Sequence, residues 1–336
     1  TPISTAPAVA QGNRPVKRGG VDARVTTGAS PMVTGSVLLD SGDRPLAPDA
    51  AGRLQPALDL VHTLSSASPE TRQQLDVKWT RPLGSGSVSL GGGASLERDH
   101  RTRFASLGRR IDDGLSTWTF GAVVSRSDVA AVLDHDAAPY LTKSAYRTQI
   151  ENRNGQQVLT GQRDDQAVSV GWARVLGPSA VLESSLSYTR SKGYLGNPYK
   201  AVSVIFAPFS GDGAAVRGGD LQALLEQRPG QRRQWNMATR LVLHHAPADA
   251  ALHLGYGAYA DDWGVRVHRM DGEWFQPIGP GNLLSLRLRY HTQQAARFYT
   301  PYLVTHQAYR SVSIGPDGQP VVSSFDPAGL PVVFSS

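Results

Sequence analysis

The acidic pair Asp261–Asp262, with His268 shortly after it, is the first place in this chain where residue types suggest chemistry. Carboxylates beside an imidazole are donors for a hard or borderline cation. Their adjacency works against that use. Successive strand side chains face opposite ways, so both acids reach one site only across a turn or bulge. The plainer expectation is a polar turn, or a carboxylate paired with an arginine. His244 and His245 are divided between faces for the same reason. Asp134, His135 and Asp136 cluster in a loop-like stretch, where such a group is ordinarily just solvated. There is no cysteine, which excludes disulfides, thiolate metal sites and cysteine nucleophiles. No Gly-x-Ser-x-Gly, phosphate-loop or His-Glu-x-x-His string occurs either. No catalytic set emerges, and no cofactor is expected.

The arginines say more. Between Leu283 and Thr292 the chain reads LLSLRLRYHT. In a strand, Leu284, Leu286, Leu288 and Tyr290 share one face, and Ser285, Arg287, Arg289 and His291 share the other. Arg240 takes a polar-face position on another run, and Arg266 alternates with Val265 and Val267. Arg240, Arg266, Arg287, Arg289 and His291 are therefore expected to line the inside of a barrel, with Glu183, Asp76 and Asp262 as candidate partners. Such a lining either favours anions or is zipped shut by Arg–carboxylate pairs, and the sequence leaves both open.

The elements that hold these residues are β-strands. Thirty-five Gly and 22 Pro among 336 residues suit many turns rather than long helices. Hydrophobic content is 40%, mean hydropathy is −0.28, and no run of about 18 apolar residues exists to make a transmembrane helix. A membrane barrel remains allowed, because half of each of its strands is polar. The net charge of +6 is scattered without a basic stripe, so a nucleic-acid partner is not expected. The chain starts at Thr1 without a signal-like segment, so a signal peptide is expected to have been removed or left out.

Residues 1–53 read as a flexible leader with at most one strand, at Met32–Leu39. From residue 54 strand-like runs recur: 54–64, 74–80, 87–99, 103–111, 116–128, 166–176, 181–191, 235–245, 251–260, 264–275 and 283–292. Most are about ten residues long, enough for a tilted strand to cross a bilayer. Tight links near Pro82, at 177–180, 245–249 and 277–282 alternate with long ones at 129–165, 193–231 and 298–336. Short turns on one side and long loops on the other are the habit of outer-membrane barrels. Trp118, Trp172, Tyr188, Trp235, Tyr259, Trp263, Trp274 and Tyr290 lie near run ends, as interfacial belts would.

Four strings occur in order: YLGNPYKAVSV (194–204), EQRPGQRRQ (226–234), YADDWGVRVH (259–268) and FYTPYLV (298–304). Together they resemble the DUF3570 family, bacterial proteins of unknown function regarded as outer-membrane β-barrels. The resemblance implies the architecture and carries no catalytic residue, ligand or cofactor. The C-terminus departs from a typical barrel, ending at PVVFSS without a final aromatic-tipped strand. HQAYRSVSIG and QPVVSSFDP are then expected to supply the last strands.

The expectation is thus an all-β, antiparallel transmembrane barrel of about 12–14 strands over residues 54–336, in the bacterial outer membrane. It would act as a channel or scaffold for a small, anionic solute or a partner polypeptide. Its partners would be outer-membrane lipid and a periplasmic or lumen-bound protein. Asp261, Asp262 and His268 stand as the metal candidates. The alternatives are an enzyme embedded in the outer membrane and a soluble β-sandwich binding module.

Overall fold

The computed structural model describes residues 35–57, 63–65, 71–133, 149–209, 213–326 and 330. The described residues contain no α-helix, only strands, turns and one short 3-10 turn at Ala246–Ala248. Four short strands come first: β1 (Gly35–Asp40), β2 (Pro45–Pro48), β3 (Leu54–Pro56) and β4 (Thr63–Ser65). A series of long strands follows: β5 (Gln73–Leu83), β6 (Gly86–Leu96), β7 (His100–Asp113) and β8 (Ser116–Val132). After β9 (Ile150–Arg153) come β10 (Gln156–Gly177) and β11 (Ala180–Gly193). The hairpin β12 (Lys200–Phe206) and β13 (Val216–Leu225) interrupts the series, which resumes with β14 (Gln231–His245), β15 (Ala250–Asp261), β16 (Arg266–Pro277) and β17 (Leu283–Gln293). Three short strands end it: β18 (Leu303–Thr305), β19 (Arg310–Ile314) and β20 (Pro320–Ser324).

The long strands form one antiparallel meander, β5-β6-β7-β8-β10-β11-β14-β15-β16-β17, with β9 added beside β10. The sheet is open, and β5 and β17 are its edges. The expected closed barrel of 12–14 strands is thus a sheet of ten long strands plus β9. The shortfall has two sources. The run at 54–64 contributes β3 and β4 to another sheet, and the terminal strings fold as an isolated β19–β20 hairpin.

Register gives every long strand the same two faces. One continuous row runs Trp79–Leu90–Leu107–Ala122–Val168–Tyr188–Trp235 from β5 to β14. Another runs Ile111–Trp118–Trp172–Ser184–Thr239–Tyr256–Met270–Tyr290. The opposite face carries small and polar residues, such as Ser89–Gly108–Gly121–Ser169–Ser187–Asn236. The apolar face is bare: Leu75 is 72% exposed, Val77 66%, Met270 55% and Leu288 77%. Tight connections after β5, β7, β10, β14 and β16 lie at one end, the turn end. The long excursions 133–149 and 194–230 leave from the other, the loop end.

A second, seven-stranded sheet is ordered β18-β12-β13-β1-β2-β3, with β4 on β12. The apolar run of β12 buries both faces. Ile205 packs with Val37, Leu39 and Leu221, while Val202, Val204 and Phe206 pack with Leu224, Leu303 and Leu330. Residues 35–53, expected as leader with at most one strand, therefore hold two strands, β1 and β2, held by burial of Val37, Leu39 and Leu46. Two matching turns shape this edge. The Asp40 carboxylate accepts N–H bonds from Gly42 and Arg44 at 2.8 and 2.9 Å, and Asp49 does the same for Ala51 and Arg53. The Arg44 and Arg53 amides are the main reason that both acids sit below the usual carboxylate pKa. These bonds support the turns at neutral pH and are lost as acid protonates the two groups.

This sheet sits on the polar face, at its loop end. Tyr194, Leu225, Leu133 and Leu159 share one cluster. A Cβ on Gly161 of β10 would lie 2.8 Å from Tyr194 Cβ, so that approach needs glycine. Ser95, Ser127 and Ser191, polar-face residues near this end, are buried beneath the cap. Phe206 is fully buried, with the rings of Phe325 and Tyr309 at 4.9 and 5.4 Å. Phe206→Ala should cost about 3–5 kcal/mol of cap stability. Limited proteolysis should then cut 194–230 early while β5–β17 stay resistant.

Candidate functional site

Two arrangements on the polar face bring charged residues together. The first is a ladder on β14–β17. Glu273 is opposite Arg287 in register, with Nε and NH2 at 3.0 and 2.5 Å. Asp271 lies between Arg289 at 2.6 Å and Arg269 at 2.8 Å. His253 Nδ1 is 4.0 Å from Glu273, and Arg240 NH2 approaches the same nitrogen at 3.0 Å. The sequence placed Arg240, Arg287, Arg289 and His291 on one face, and register does so too. Arg240 is opposite Glu183, as expected, while the acids beside Arg287 and Arg289 are Glu273 and Asp271, not Asp76 or Asp262. Glu273 and Asp271 were legible in the 264–275 run, where they alternate with Gly272 and Trp274. Arg266 is a correction. It pairs with Ala260 on the face of Met270 and Trp274, because its even-numbered position on β16 puts it on the apolar side.

The second arrangement is built from the four strings noted in the sequence. Asp261, whose side chain is fully buried, accepts from Arg232 NH2 at 2.6 Å, from Tyr259 OH at 2.9 Å and from the Val265 N–H at 2.9 Å. The Arg232 guanidinium lies 4.4 Å above the Trp263 ring, and the Trp263 indole N–H donates to the Gln231 carbonyl at 2.8 Å. Phe298 meets Trp263 edge-on at 5.3 Å. Nearby, the fully buried Glu226 holds Lys200 Nζ and Arg228 Nε, both at 2.8 Å. Val204 and Leu303 pair across β12 and β18. The four strings lie at the loop end, with the Asp261 cluster inside the sheet, the Glu226 cluster inside the cap, and Tyr194 and Tyr199 touching both. These residues were present in the strings, but pairing across distances such as Arg232 to Asp261 left no local signal.

The metal candidates are not brought together. Asp261 is occupied by Arg232, Asp262 accepts the Arg233 N–H at 2.9 Å, and His268 Nδ1 is 2.8 Å from Tyr256 OH. Among the described residues no three His, Cys, Asp or Glu side chains form a metal-holding group. Asp134, His135 and Asp136 lie outside the described residues. A cavity of about 1310 Å³ opens beside the cap, and its lining includes Arg98, Asp99, Arg101, Arg103, Tyr199 and Arg228. Tyr199 OH donates to Asp99, joining the cap to the β6–β7 turn.

A two-faced antiparallel meander with a capped polar face defines the class of the protein. The chain belongs to the DUF3570 family, described as proteins of unknown function, whose match extends over residues 1–336. No curated protein matches it. Among solved structures it is similar to the β domain of the Bordetella autotransporter BrkA, at 10% identity over 77% of this chain and 90% of that one, with a TM-score of 0.30.

Glu226→Gln removes the charge that holds Lys200 and Arg228 and should destabilise the cap by about 3 kcal/mol. Limited proteolysis at rising denaturant should show this as cutting of 194–230 at a lower denaturant concentration than in the unaltered protein.

Proposed function

We propose that this protein is an outer-membrane β-barrel whose ten long strands close by pairing β5 with β17, and that it serves as a capped channel or scaffold. The uncovered apolar face carries the reading. In a β-sandwich the second sheet would cover those leucines, yet here the second sheet packs on the polar side. Hydrocarbon is the remaining solvent for that surface. Backbone groups on the two open edges would be unsatisfied in lipid, at several kcal/mol each, which closure removes. The meander has an even number of strands, so β5 and β17 run antiparallel and can pair directly.

Aromatic placement supports the same reading. On the apolar face, Trp79, Trp118, Trp172 and Trp274 each lie within five residues of the turn end of their strands. Tyr188, Trp235 and Tyr290 lie equally close to the loop end. Two belts on either side of an apolar band are what a bilayer selects. Tyr259 and Trp263 do not join them, since both serve the Asp261–Arg232 cluster.

Inside, the ladder's excess of positive charge is small, because Arg287 and Arg289 have acids beside them and Arg240 has Glu183 opposite it. The pore would be gated by the cap rather than held open with strong anion preference. The solute would be small, or the lumen would house a polypeptide. Planar-bilayer recordings should show low conductance for the intact protein and larger events for Phe206→Ala. Glu273→Gln should shift selectivity toward anions by freeing Arg287. Leu107→Arg, on the apolar face, should lower folding stability in vesicles by about 2–4 kcal/mol. A protein that stays in solution without detergent, or tolerates Leu107→Arg, would contradict the reading.

A further inference from the structure

The apolar face is not electrically symmetric. At its loop end it carries exposed Arg101, Arg103, Arg190, Lys192, Arg233 and Arg266, none of which forms an ion pair among the described residues. Nearby acids are already engaged, Asp164 by Arg126 at 2.7 Å and Asp128 by the Gln162 amide at 3.0 Å. The turn end of the same face has Arg81, Arg109 and Arg174, and Arg109 is spent on the Leu83 carbonyl.

One pair of these cations is directly opposed: Arg190 faces Arg233, while Arg103 faces Arg126, whose charge Asp164 already meets. Like charges in directly opposed positions repel, so the sheet is less stable with them bare. The Arg190–Arg233 pair lies two residues beyond Tyr188 and Trp235, whose rings are 4.6 Å apart. Moving toward the loop end, the order is aliphatic band, aromatic pair, then guanidinium pair. Aromatic rings favour the interface, and cations just beyond them meet headgroup phosphates. Guanidinium forks match phosphate oxygens in pairs.

We infer that this basic girdle binds the phosphates of lipid headgroups in the leaflet on the loop side of the membrane. The inference rests on the membrane reading above and goes beyond it by naming a lipid class and a leaflet. The opposed Arg190–Arg233 pair is the core of the site.

Native mass spectrometry of the full chain, refolded in detergent, tests this with diphosphoryl lipid A and its dephosphorylated form as probes. The phosphorylated lipid should be retained at concentrations at least tenfold lower. The double variant Arg190→Ser/Arg233→Ser should weaken that retention by about 25-fold, taking about fivefold per charge. The turn-end double variant Arg81→Ser/Arg174→Ser should leave it unchanged. An unboiled-gel shift shows that each variant has folded. Equal retention of both lipids by folded protein, or equal losses in both variants, would overturn the girdle alone. Displacement by millimolar inorganic phosphate would overturn the lipid as its source. Solubility without detergent would instead overturn the membrane reading.

Discussion

Everything in this fold follows from ten strands that each keep one predominantly apolar side and leave it uncovered. A globular sheet hides its apolar side against a partner layer. Here the partner layer exists and goes to the other side. Leu75, Val77, Met270 and Leu288 stay more than half exposed while the cap buries Leu39, Ile205 and Phe206 completely. The sheet therefore needs an apolar solvent, and that need then constrains its edges, aromatic belts and charges.

The polar face shows how the constraint is met from inside. Across β6 to β11 it is lined by Gly and Ser, such as Gly91, Ser106, Gly121 and Ser169, whose small side chains let the cap approach near the loop end. Charged residues of this face are densest on β14–β17, where acids and arginines face each other across neighbouring strands, with the Arg110–Asp112 and Arg163–Asp165 pairs elsewhere on it. The Glu226 cluster ties the two ends of the β12–β13 hairpin and the Asp261 cluster ties the loop end of β14–β15, each with one buried acid beside cations that keep partial access to water. Losing either acid would leave those cations near a dry interface without a counter-charge.

Much of this was legible in residue order. The ten long strands, the faces of Trp118, Val168, Leu186 and Arg287, and the alternation of tight and long links all follow from period-two patterning. Strand period also yielded the one wrong face: Arg266 was assigned by its valine neighbours, whereas Val265 precedes the strand and the pairing with Ala260 sets the parity. What the sequence hid was long-range. β1 and β2 look like leader because each is short and their apolar partners lie far away on β12 and β13. Arg232 and Asp261 are likewise distant in sequence, so nothing local shows that they meet.

The closed barrel is the central claim, and the absence of cysteine gives a clean way to test it. Cysteine pairs would be placed one on β5 and one on β17, and oxidised in protein refolded into vesicles. In an antiparallel pair the numbers of opposed residues share a constant sum. Closure with every apolar face outward requires that sum to be odd, as with Leu75 or Val77 opposite Leu284, Leu286 or Leu288. The account predicts monomeric cross-links confined to a single odd sum. Cross-links only between two copies, only at an even sum, or none at all would contradict it.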